Sequence, residues 1–249
     1  MYRTYRNCYN LNGSPVCGNN VTSMYMTYYN CYNLTGSPVC GNNVTSMDYT
    51  YLKCSNLTGS PVCGPNVTNM YDAYRNCTNL TGNPVCGNNV TNMCHTYYNC
   101  HKLTGNPVCG SNVTNMYMTY YNCHKLTGNA IYIYSKNISN AAGCFYGKNN
   151  SRRYNIHVPA NSTTLNTFLI NNTSSLVGST ITYTNDGTCW YNTAYNIYIY
   201  TIKSLSEKLI DFNYTENEDG TVTLTSWKGT YNGEPSTKFV IPDDPRIIL

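Results

Sequence analysis

Ionic side chains are scarce in this chain of 249 residues, because only 10% of them are charged, against roughly 25% in an ordinary globular protein. The formal net charge is +4, which is too weak to indicate binding to nucleic acid. Tyrosine is abundant instead, with 27 residues against 4 Phe and 2 Trp. We therefore expect a surface of Asn, Thr, Ser and Tyr side chains and no nucleic-acid partner.

Long apolar runs are also missing from the sequence. No stretch approaches the roughly 18–20 consecutive apolar residues of a transmembrane helix, so we expect no membrane insertion. The N-terminal residues MYRTYRNCYN have no apolar core and no small-residue cleavage site, and we predict no signal peptide. The 14 cysteines would suggest an oxidising compartment, but that inference suits short secreted domains with irregular spacings.

Few residues could carry catalysis. The repeats described below hold only two carboxylates, Asp48 and Asp72, which offer no convincing acid–base pair. No phosphate-binding glycine loop is present. Cys94 replaces a Tyr or Asp of other repeats, and we predict it to be an exposed thiol. Overall composition and motifs predict no enzyme, no catalytic residue, no bound metal and no cofactor.

The cysteines follow two series that each step by 23 residues. The first series is Cys8, Cys31, Cys54, Cys77, Cys100 and Cys123, and the second is Cys17, Cys40, Cys63, Cys86 and Cys109. A fixed period of 20–29 residues is typical of leucine-rich-repeat solenoids. The predicted fold is therefore a leucine-rich-repeat-like solenoid of 23-residue coils, with short parallel β-strands joined by turns or short helical pieces.

Positions that do not vary between repeats predict the core. Inward positions of a solenoid stack like on like, so one rung of core is Leu34, Val39, Val44, Met47 and Tyr51, together with the two cysteines of the repeat. Glycines bracket a short strand predicted around Pro38-Val39-Cys40. The segment VTSMxxTY is predicted to form a turn or a brief helical piece.

The stacked cysteines allow three interpretations. We favour reduced structural ladders of small buried side chains. Disulfides between or within rungs stay open, because a strand spacing of about 4.8 Å permits them. Zinc is disfavoured, since no CxxC occurs and a straight column cannot surround one ion.

The repeats resemble the BspA-like leucine-rich repeats of bacterial surface and phage-associated proteins. The pattern that carries the resemblance is N-C-x-x-L-T followed by N-x-V-T-x-M-x-x-x-Y-x-N-C, seen in residues 30–54 and their copies, and it covers roughly residues 1–200. The departures are Tyr where the family usually has Phe, and Pro-Val-Cys where it usually alternates Ile or Leu. The resemblance implies an adhesin or binding module at a cell or virion surface.

The rest of the chain divides into two further parts. We predict a regular solenoid over 1–129, degenerate repeats and a cap over 130–203, and a small acidic β-hairpin module over 204–249. AIYIY at 130–134 and NIYIY at 196–200 predict strands, and a helix-like stretch begins near Ser162. Asp219-Gly220 between alternating residues predicts a hairpin.

Met1 occupies the position of the repeat's Met, so the chain begins within a coil. An open coil exposes a strand edge. Either the chain is a piece of something longer, or another copy of this chain or a different subunit covers this end. Expression from an internal Met is the simpler explanation.

Variable positions beside the invariant core predict outward side chains. These positions lie two residues before and one residue after the first cysteine of each repeat. Tyr and Arg side chains at such exposed positions make good binding hot spots. The candidate ligand-binding residues are Arg6, Tyr9, Tyr29, Tyr32, Arg75, Tyr98, His101, Tyr121 and His124. The Tyr rings would suit stacking on sugar rings, or they simply cover a surface of low charge. A metal site at His101 and His124 is less favoured than a solvated basic strip.

Each repeat also contains Asn-Val-Thr, which fits the glycosylation sequon, although turn formation explains it as well. The leading functional hypothesis is a non-enzymatic binding or adhesion solenoid that is extracellular, at a cell surface or on a virion, and recognises a protein or glycan. The alternative is a structural spacer or fibre segment, for example a phage tail component, that assembles end-on with other subunits.

Overall fold

The computed structural model describes residues 1–126, 130–147, 155–158, 164, 167, 180–185, 189–192, 197–203, 212–216, 222–228, 230–231, 234–235 and 247–248. Contacts divide the chain into two compact units, Met1–Tyr183 with Trp190–Tyr200, and Thr184–Cys189 with Thr201–Leu249. The predicted boundary between residues 129 and 130 therefore falls inside the first unit.

The strands are short and lie mostly in the second half of the chain. They are β1 (Val108–Cys109), β2 (Ala130–Ile133), β3 (Asn155–His157), β4 (Thr180–Asn185), β5 (Cys189–Asn192), β6 (Ile197–Lys203), β7 (Phe212–Glu216), β8 (Val222–Trp227), β9 (Thr230–Tyr231), β10 (Glu234–Pro235) and β11 (Ile247–Ile248). One six-stranded sheet has the order β1-β2-β3-β4-β6-β5. Of the predicted helix-like stretch, only Thr164 and Thr167 are described, and both are helical.

Residues 24–31 show how the repeats are held together. The N–H groups of alternate residues donate to carbonyls of the next repeat, for example Met24 to Ser46 at 3.0 Å and Tyr28 to Thr50 at 2.8 Å. Between them, Thr27 N–H donates back to the Met24 carbonyl at 3.0 Å, as in a β-turn. The predicted turn or helical piece is thus a run of turns, and each turn is bonded to its neighbour.

Parallel bridges recur one residue before the core Met of each repeat. They join Ser23 to Ser46, Ser46 to Asn69, Asn69 to Asn92, Asn92 to Asn115 and Asn115 to Asn140. The last step is longer by two residues, and the same lengthening follows in the sheet, where β2 pairs Ala130 with Asn155 and β3 pairs Asn155 with Thr180. The solenoid stays a prediction of the sequence, and these bonds are the structural observations that bear on it.

Most of the predicted core rung is buried. Leu34, Val44, Met47 and Tyr51 are at most 1% exposed. Val39 is the exception, because it is only half-buried and its equivalent Val85 is 36% exposed. The prediction that Val39 belongs to the core is therefore wrong.

The strand predicted around Val39 is also not formed in that repeat. The buried Tyr51 hydroxyl accepts from the Val39 N–H at 3.0 Å and donates to the Val39 carbonyl at 2.7 Å. One side chain thereby satisfies the two backbone groups that a neighbouring strand would otherwise bond. We call this pair of bonds the tyrosine clasp.

The clasp repeats at Val16 with Tyr28 and at Val62 with Tyr74. It is absent at Val108, whose N–H donates instead to the Pro84 carbonyl at 3.0 Å. There the Tyr120 hydroxyl is buried without a hydrogen-bond partner, and Val108–Cys109 forms the first strand. Strand and clasp are therefore alternative ways of satisfying the same backbone groups.

An asparagine ladder runs beside the turns at a left-handed backbone position, with φ of 61° at both Asn30 and Asn99. Nδ2 of Asn30 donates to Oδ1 of Asn7 at 2.9 Å, and Nδ2 of Asn99 donates to Oδ1 of Asn76 at 2.8 Å. Lys53 occupies the intervening position at φ 63°. As a result, Oδ1 of Asn30 is buried without a partner.

Lys53→Asn is expected to raise the free energy of unfolding by about 1 kcal/mol, because a new amide can donate to Asn30 and Asn tolerates positive φ better than Lys does. Urea denaturation measures the change. Lys53→Gln removes the same charge, but its longer side chain does not place the amide at the asparagine position of the ladder. It should therefore not raise the free energy of unfolding. Equal midpoints for the two variants would contradict the ladder.

The second compact unit contains a three-stranded sheet of order β11-β8-β7. β7 and β8 pair antiparallel, with Glu216 opposite Val222, as the predicted hairpin requires. Its Asp219-Gly220 turn lies outside the described residues. Phe212 is 3% exposed and is a buried side chain of this unit.

Candidate functional site

The predicted outward positions form two columns on the repeats, which we call the Tyr/Arg/His strip. The first column is Arg6, Tyr29, Leu52, Arg75, Tyr98 and Tyr121, and the second is Tyr9, Tyr32, Ser55, Thr78, His101 and His124. Each column residue lies next to an inward one, as Tyr29 follows Tyr28, which is 1% exposed. Leu52 departs from the prediction, because it is only 7% exposed.

The third repeat interrupts the strip. The first patch contains Arg6, Tyr9, Tyr29 and Tyr32, and the Arg6 guanidinium lies 5.4 Å from the centre of the Tyr29 ring. Tyr9 and Tyr32 stack at 5.5 Å and are 50% and 38% exposed. Leu52 and Ser55 separate this patch from the remaining predicted residues.

The second patch contains Arg75, Tyr98, Tyr121, His101 and His124. The Arg75 guanidinium lies 4.8 Å from the Tyr98 ring centre, and Tyr98 stacks on Tyr121 at 4.5 Å with an interplanar angle of 1°. His101 and His124 stack at 4.9 Å. The structure thus brings five of the nine predicted residues into one patch.

Tyr146 extends the second patch, although the 23-residue period does not predict it. Its ring stacks on Tyr121 at 5.4 Å, and it is 42% exposed. Because Asn140 is bridged to Asn115, the step here is 25 residues, and adding 25 to Tyr121 gives Tyr146. Aligning Asn-Ile-Ser at 137–139 with Asn-Val-Thr at 112–114 gives the same step of 25 residues and predicts that Tyr146 continues the column.

The stacking changes which part of each ring a ligand can contact. Within a column the ring faces are covered by the next ring or by a guanidinium, as at Tyr98. Ring edges and polar groups are what remain accessible at the middle of the patch. The predicted mode of stacking on sugar rings is therefore blocked at Tyr98, and edge contacts with hydrogen bonds replace it.

A buried ionic cluster lies beneath the second patch. Asp72 Oδ1 is 3.4 Å from Nη1 of Arg75 and 3.6 Å from Nδ1 of His95. Burial raises the pKa of the Asp72 carboxyl, and the Arg75 charge opposes that shift. Burial and the nearby Arg75 lower the pKa of His95. The repeat pattern identifies Asp72 only as a carboxylate and does not predict its contact with His95.

Cys94 adjoins this cluster but does not form a nucleophilic site. Its Sγ is 3.7 Å from Nδ1 of His95, the same nitrogen that faces Asp72, whereas a relay needs the base to use both ring nitrogens. The Cys94 side chain is buried, with 7% exposure, so the predicted exposed thiol is wrong. Burial raises the pKa of Cys94 to about 11.

The first cysteine series has a definite hydrogen-bonding role. Sγ of Cys54 donates to the Tyr28 carbonyl at 3.0 Å, and Sγ of Cys77 donates to the Tyr51 carbonyl at 3.0 Å. The same bond recurs for Cys31, Cys100 and Cys123. Each thiol thus links one repeat to the preceding repeat while filling the core.

The second series lies nearer the surface at its N-terminal end. Cys17, Cys40 and Cys63 are half-buried, while Cys86 and Cys109 are buried. Burial raises the pKa of Cys40 to about 11 and that of Cys63 to about 12. The thirteen cysteines whose side chains the structure describes are all free thiols.

Thiol alkylation should separate exposed from buried cysteines. At pH 8 we expect Cys8, which is exposed, to react at the rate of an unfolded chain. Cys31 should be protected, because a pKa raised to about 11 leaves about one thiol in a thousand ionised. Mass spectrometry after iodoacetamide treatment measures this. Uniform labelling in the native state, or thiols missing from the unfolded unreduced chain, would contradict it.

The sequon asparagines also have a structural role. Nδ2 of Asn43 donates to the Asn19 carbonyl at 2.9 Å, and Nδ2 of Asn89 donates to the Pro65 carbonyl at 2.8 Å. The amide nitrogen that would carry a glycan is therefore engaged in a bond to the preceding repeat. This geometry favours the turn-forming role over glycosylation.

Within the described part of the chain, no group of three or more His, Cys, Asp or Glu side chains is arranged to hold a metal ion. Among the same residues, no helix has the length and apolar character needed to cross a membrane. Comparison with protein-family models, curated proteins and solved structures gives no match to this chain. The resemblance to BspA-like repeats therefore stays a prediction.

Proposed function

We propose that this chain is a non-enzymatic, leucine-rich-repeat-like solenoid of the BspA-like type that binds a partner at a cell or virion surface. The observation that carries the proposal is the second patch, where Arg75, Tyr98, Tyr121, His101 and His124 lie outside a uniform buried core. Stacked rings lose little side-chain entropy on binding, since each is already held by its neighbour. A preorganised outward array of this kind suits recognition.

The partner would be contacted through ring edges, hydroxyls and cations. Tyr121 and Tyr146 offer phenol groups that both donate and accept hydrogen bonds. A hydroxyl-rich glycan or a polar protein surface complements such groups. Inward positions are the same in every repeat, whereas outward positions differ between repeats. Residues of the patch can therefore be exchanged without disturbing the buried core.

The test is a glycan array together with a cell-surface pull-down, using the folded full chain. Tyr98→Ala with Tyr121→Ala should weaken binding at least about tenfold, as expected for aromatic hot spots. Tyr134→Ala with Val85→Ala is the matched control, because both residues are exposed and lie outside the strip. Equal binding by strip and control variants, or no binding by the folded wild type, would refute the proposal.

The second candidate is a structural spacer or fibre segment that assembles end-on with other subunits. The observation that favours it is the continuous bonding between repeats, in which alternate N–H groups of residues 24–30 reach the next repeat. Such a stack is stiff along its axis. Sedimentation velocity over a wide concentration range is the test, because end-on assembly predicts a rising sedimentation coefficient and a binding module alone predicts a constant one.

A further inference from the structure

The charged residues of the regular repeats are confined to one segment of each repeat. In residues 1–126, every Arg, Lys, His and Asp falls in the ten residues from the core Met to the residue before the core Leu. The segment from Leu to the next Met, for example 34–46, contains no ionisable acid or base except cysteine. The Tyr/Arg/His strip belongs to the charged segment.

The charges of this segment are mainly positive. It holds six cations, Arg3, Arg6, Lys53, Arg75, Lys102 and Lys125, against two carboxylates. Asp72 is 3% exposed beneath Arg75. Asp48 is half-buried, and its Oδ2 accepts from Nδ2 of Asn69 at 2.9 Å. The anions are thus withdrawn, while Lys102 and Lys125 are exposed.

The aromatic rings of the strip do not offer their faces to a partner. The faces of Tyr98 are covered by Arg75 on one side and Tyr121 on the other. What remains accessible is ring edges and hydroxyl groups, which can donate hydrogen bonds, beside the exposed Lys102 and Lys125. This surface suits a negatively charged partner that accepts hydrogen bonds.

The repeat length of the strip points to the kind of anion. Its ring pairs are 4.5 to 5.5 Å apart, from Tyr98–Tyr121 to Tyr9–Tyr32. Side chains on one face of an extended peptide are about 6.7 Å apart, which does not match this step. A pyranose ring has about the same width as the step. Single-stranded nucleic acid stacks its bases on open aromatic faces, and at Tyr98 both faces are covered.

We propose that the strip, together with Lys102 and Lys125 beside it, binds an acidic polysaccharide, a sugar polymer with repeated carboxylate or sulfate groups. The inference rests on the proposed function and specifies its ligand class. Lys102 and Lys125 contact the acid groups, together with Arg75 where the ligand reaches it. The hydroxyls of Tyr121 and Tyr146 bond the sugar hydroxyls.

The test measures binding of the full chain to a polyuronate, a sulfated glycan, a neutral glucan of similar length, polyglutamate and single-stranded DNA, by calorimetry at two salt concentrations. We expect binding to the polyuronate or the sulfated glycan that weakens as salt rises. Lys102→Gln with Lys125→Gln should weaken it about tenfold. Lys136→Gln with Lys228→Gln is the matched control, because it removes two exposed charges outside the strip and should have little effect.

The outcomes distinguish this inference from the proposed function. Preference for the neutral glucan, polyglutamate or DNA, or equal loss in both lysine pairs, would overturn the acidic-polysaccharide inference. Failure of both acidic glycans, while the Tyr98→Ala, Tyr121→Ala variant still loses cell-surface binding, would overturn the inference alone. Unchanged cell-surface binding in that tyrosine variant would overturn the proposed function. Selective, salt-sensitive binding that depends on Lys102 and Lys125 would support the inference.

Discussion

Tyr74→Phe is expected to lower the free energy of unfolding by about 2 kcal/mol, because it removes a hydroxyl that satisfies two backbone groups at once. The Tyr74 hydroxyl donates to the Val62 carbonyl at 2.7 Å and accepts from the Val62 N–H at 3.1 Å. The ring itself is fully buried and stacks between Tyr51 and Tyr97. Phenylalanine keeps that packing, so the loss reports the clasp alone.

Tyr120→Phe is the matched control for this prediction. Tyr120 has the same column position, the same burial and the same stacking, on Tyr97 and Phe145. Its hydroxyl has no hydrogen-bond partner, so its removal should leave stability unchanged or raise it slightly. Urea denaturation of both variants gives the comparison. An equal loss in the two would show that the clasp contributes nothing specific.

The clasp also shows where sequence reasoning reached its limit. The 23-residue period correctly predicted which side chains are buried at Leu34, Val44, Met47 and Tyr51, because burial against a neighbouring repeat restricts what can change. It failed at Val39, which is equally invariant and yet only half-buried. The Tyr51 hydroxyl bonds the backbone N–H and carbonyl of Val39, which holds this segment in place without burying the valine side chain. A residue that is the same in every repeat is therefore under some structural constraint, and burial in the core is only one such constraint.

The candidate site was predictable in position and less so in chemistry. Variable positions next to the core lie outward at Tyr9 and Tyr32, which are 50% and 38% exposed, whereas Tyr98 is half-buried and Leu52 is buried. Leu52 and Ser55 in the third repeat indicate an interruption of the strip. Residue type alone does not predict the direction in which each aromatic ring points. Stacking at 4.5 Å between Tyr98 and Tyr121 depends on the spacing of repeats, which sets the face of each ring against the next.

Local replacements within the repeat gave the remaining surprises. Cys94 and Asp72 occupy positions where the other repeats have different residue types. Both side chains are buried, and both contact the ring of His95. Lys53 interrupts the asparagine ladder and leaves Asn30 with an unpaired oxygen. A pattern averaged over repeats cannot reveal such pairs, because each depends on two particular neighbours. The structure of the individual repeat is needed.

Gly110→Ala is expected to lower the free energy of unfolding by about 3 kcal/mol, through overpacking against the preceding repeat. A Cβ at Gly110 would overlap the carbonyl oxygen of Gly87 and lie 2.9 Å from its carbonyl carbon. These are backbone atoms, and they cannot move aside as a flexible side chain does. The Gly110 N–H also donates to Sγ of Cys86 at 3.1 Å, so separating the two repeats would lengthen that bond as well.

Gly18→Ala provides the matched control, because it makes the same substitution after the second cysteine of the first repeat. A Cβ at Gly18 would meet Cγ2 of Val21 at 3.7 Å, an ordinary contact. We expect no loss, and a gain of up to about 1 kcal/mol is consistent with a less flexible unfolded chain. Urea denaturation of both variants decides the matter. A similar effect at the two glycines would mean that the cost arises from backbone conformation, whereas a large difference would assign it to the contact between stacked repeats.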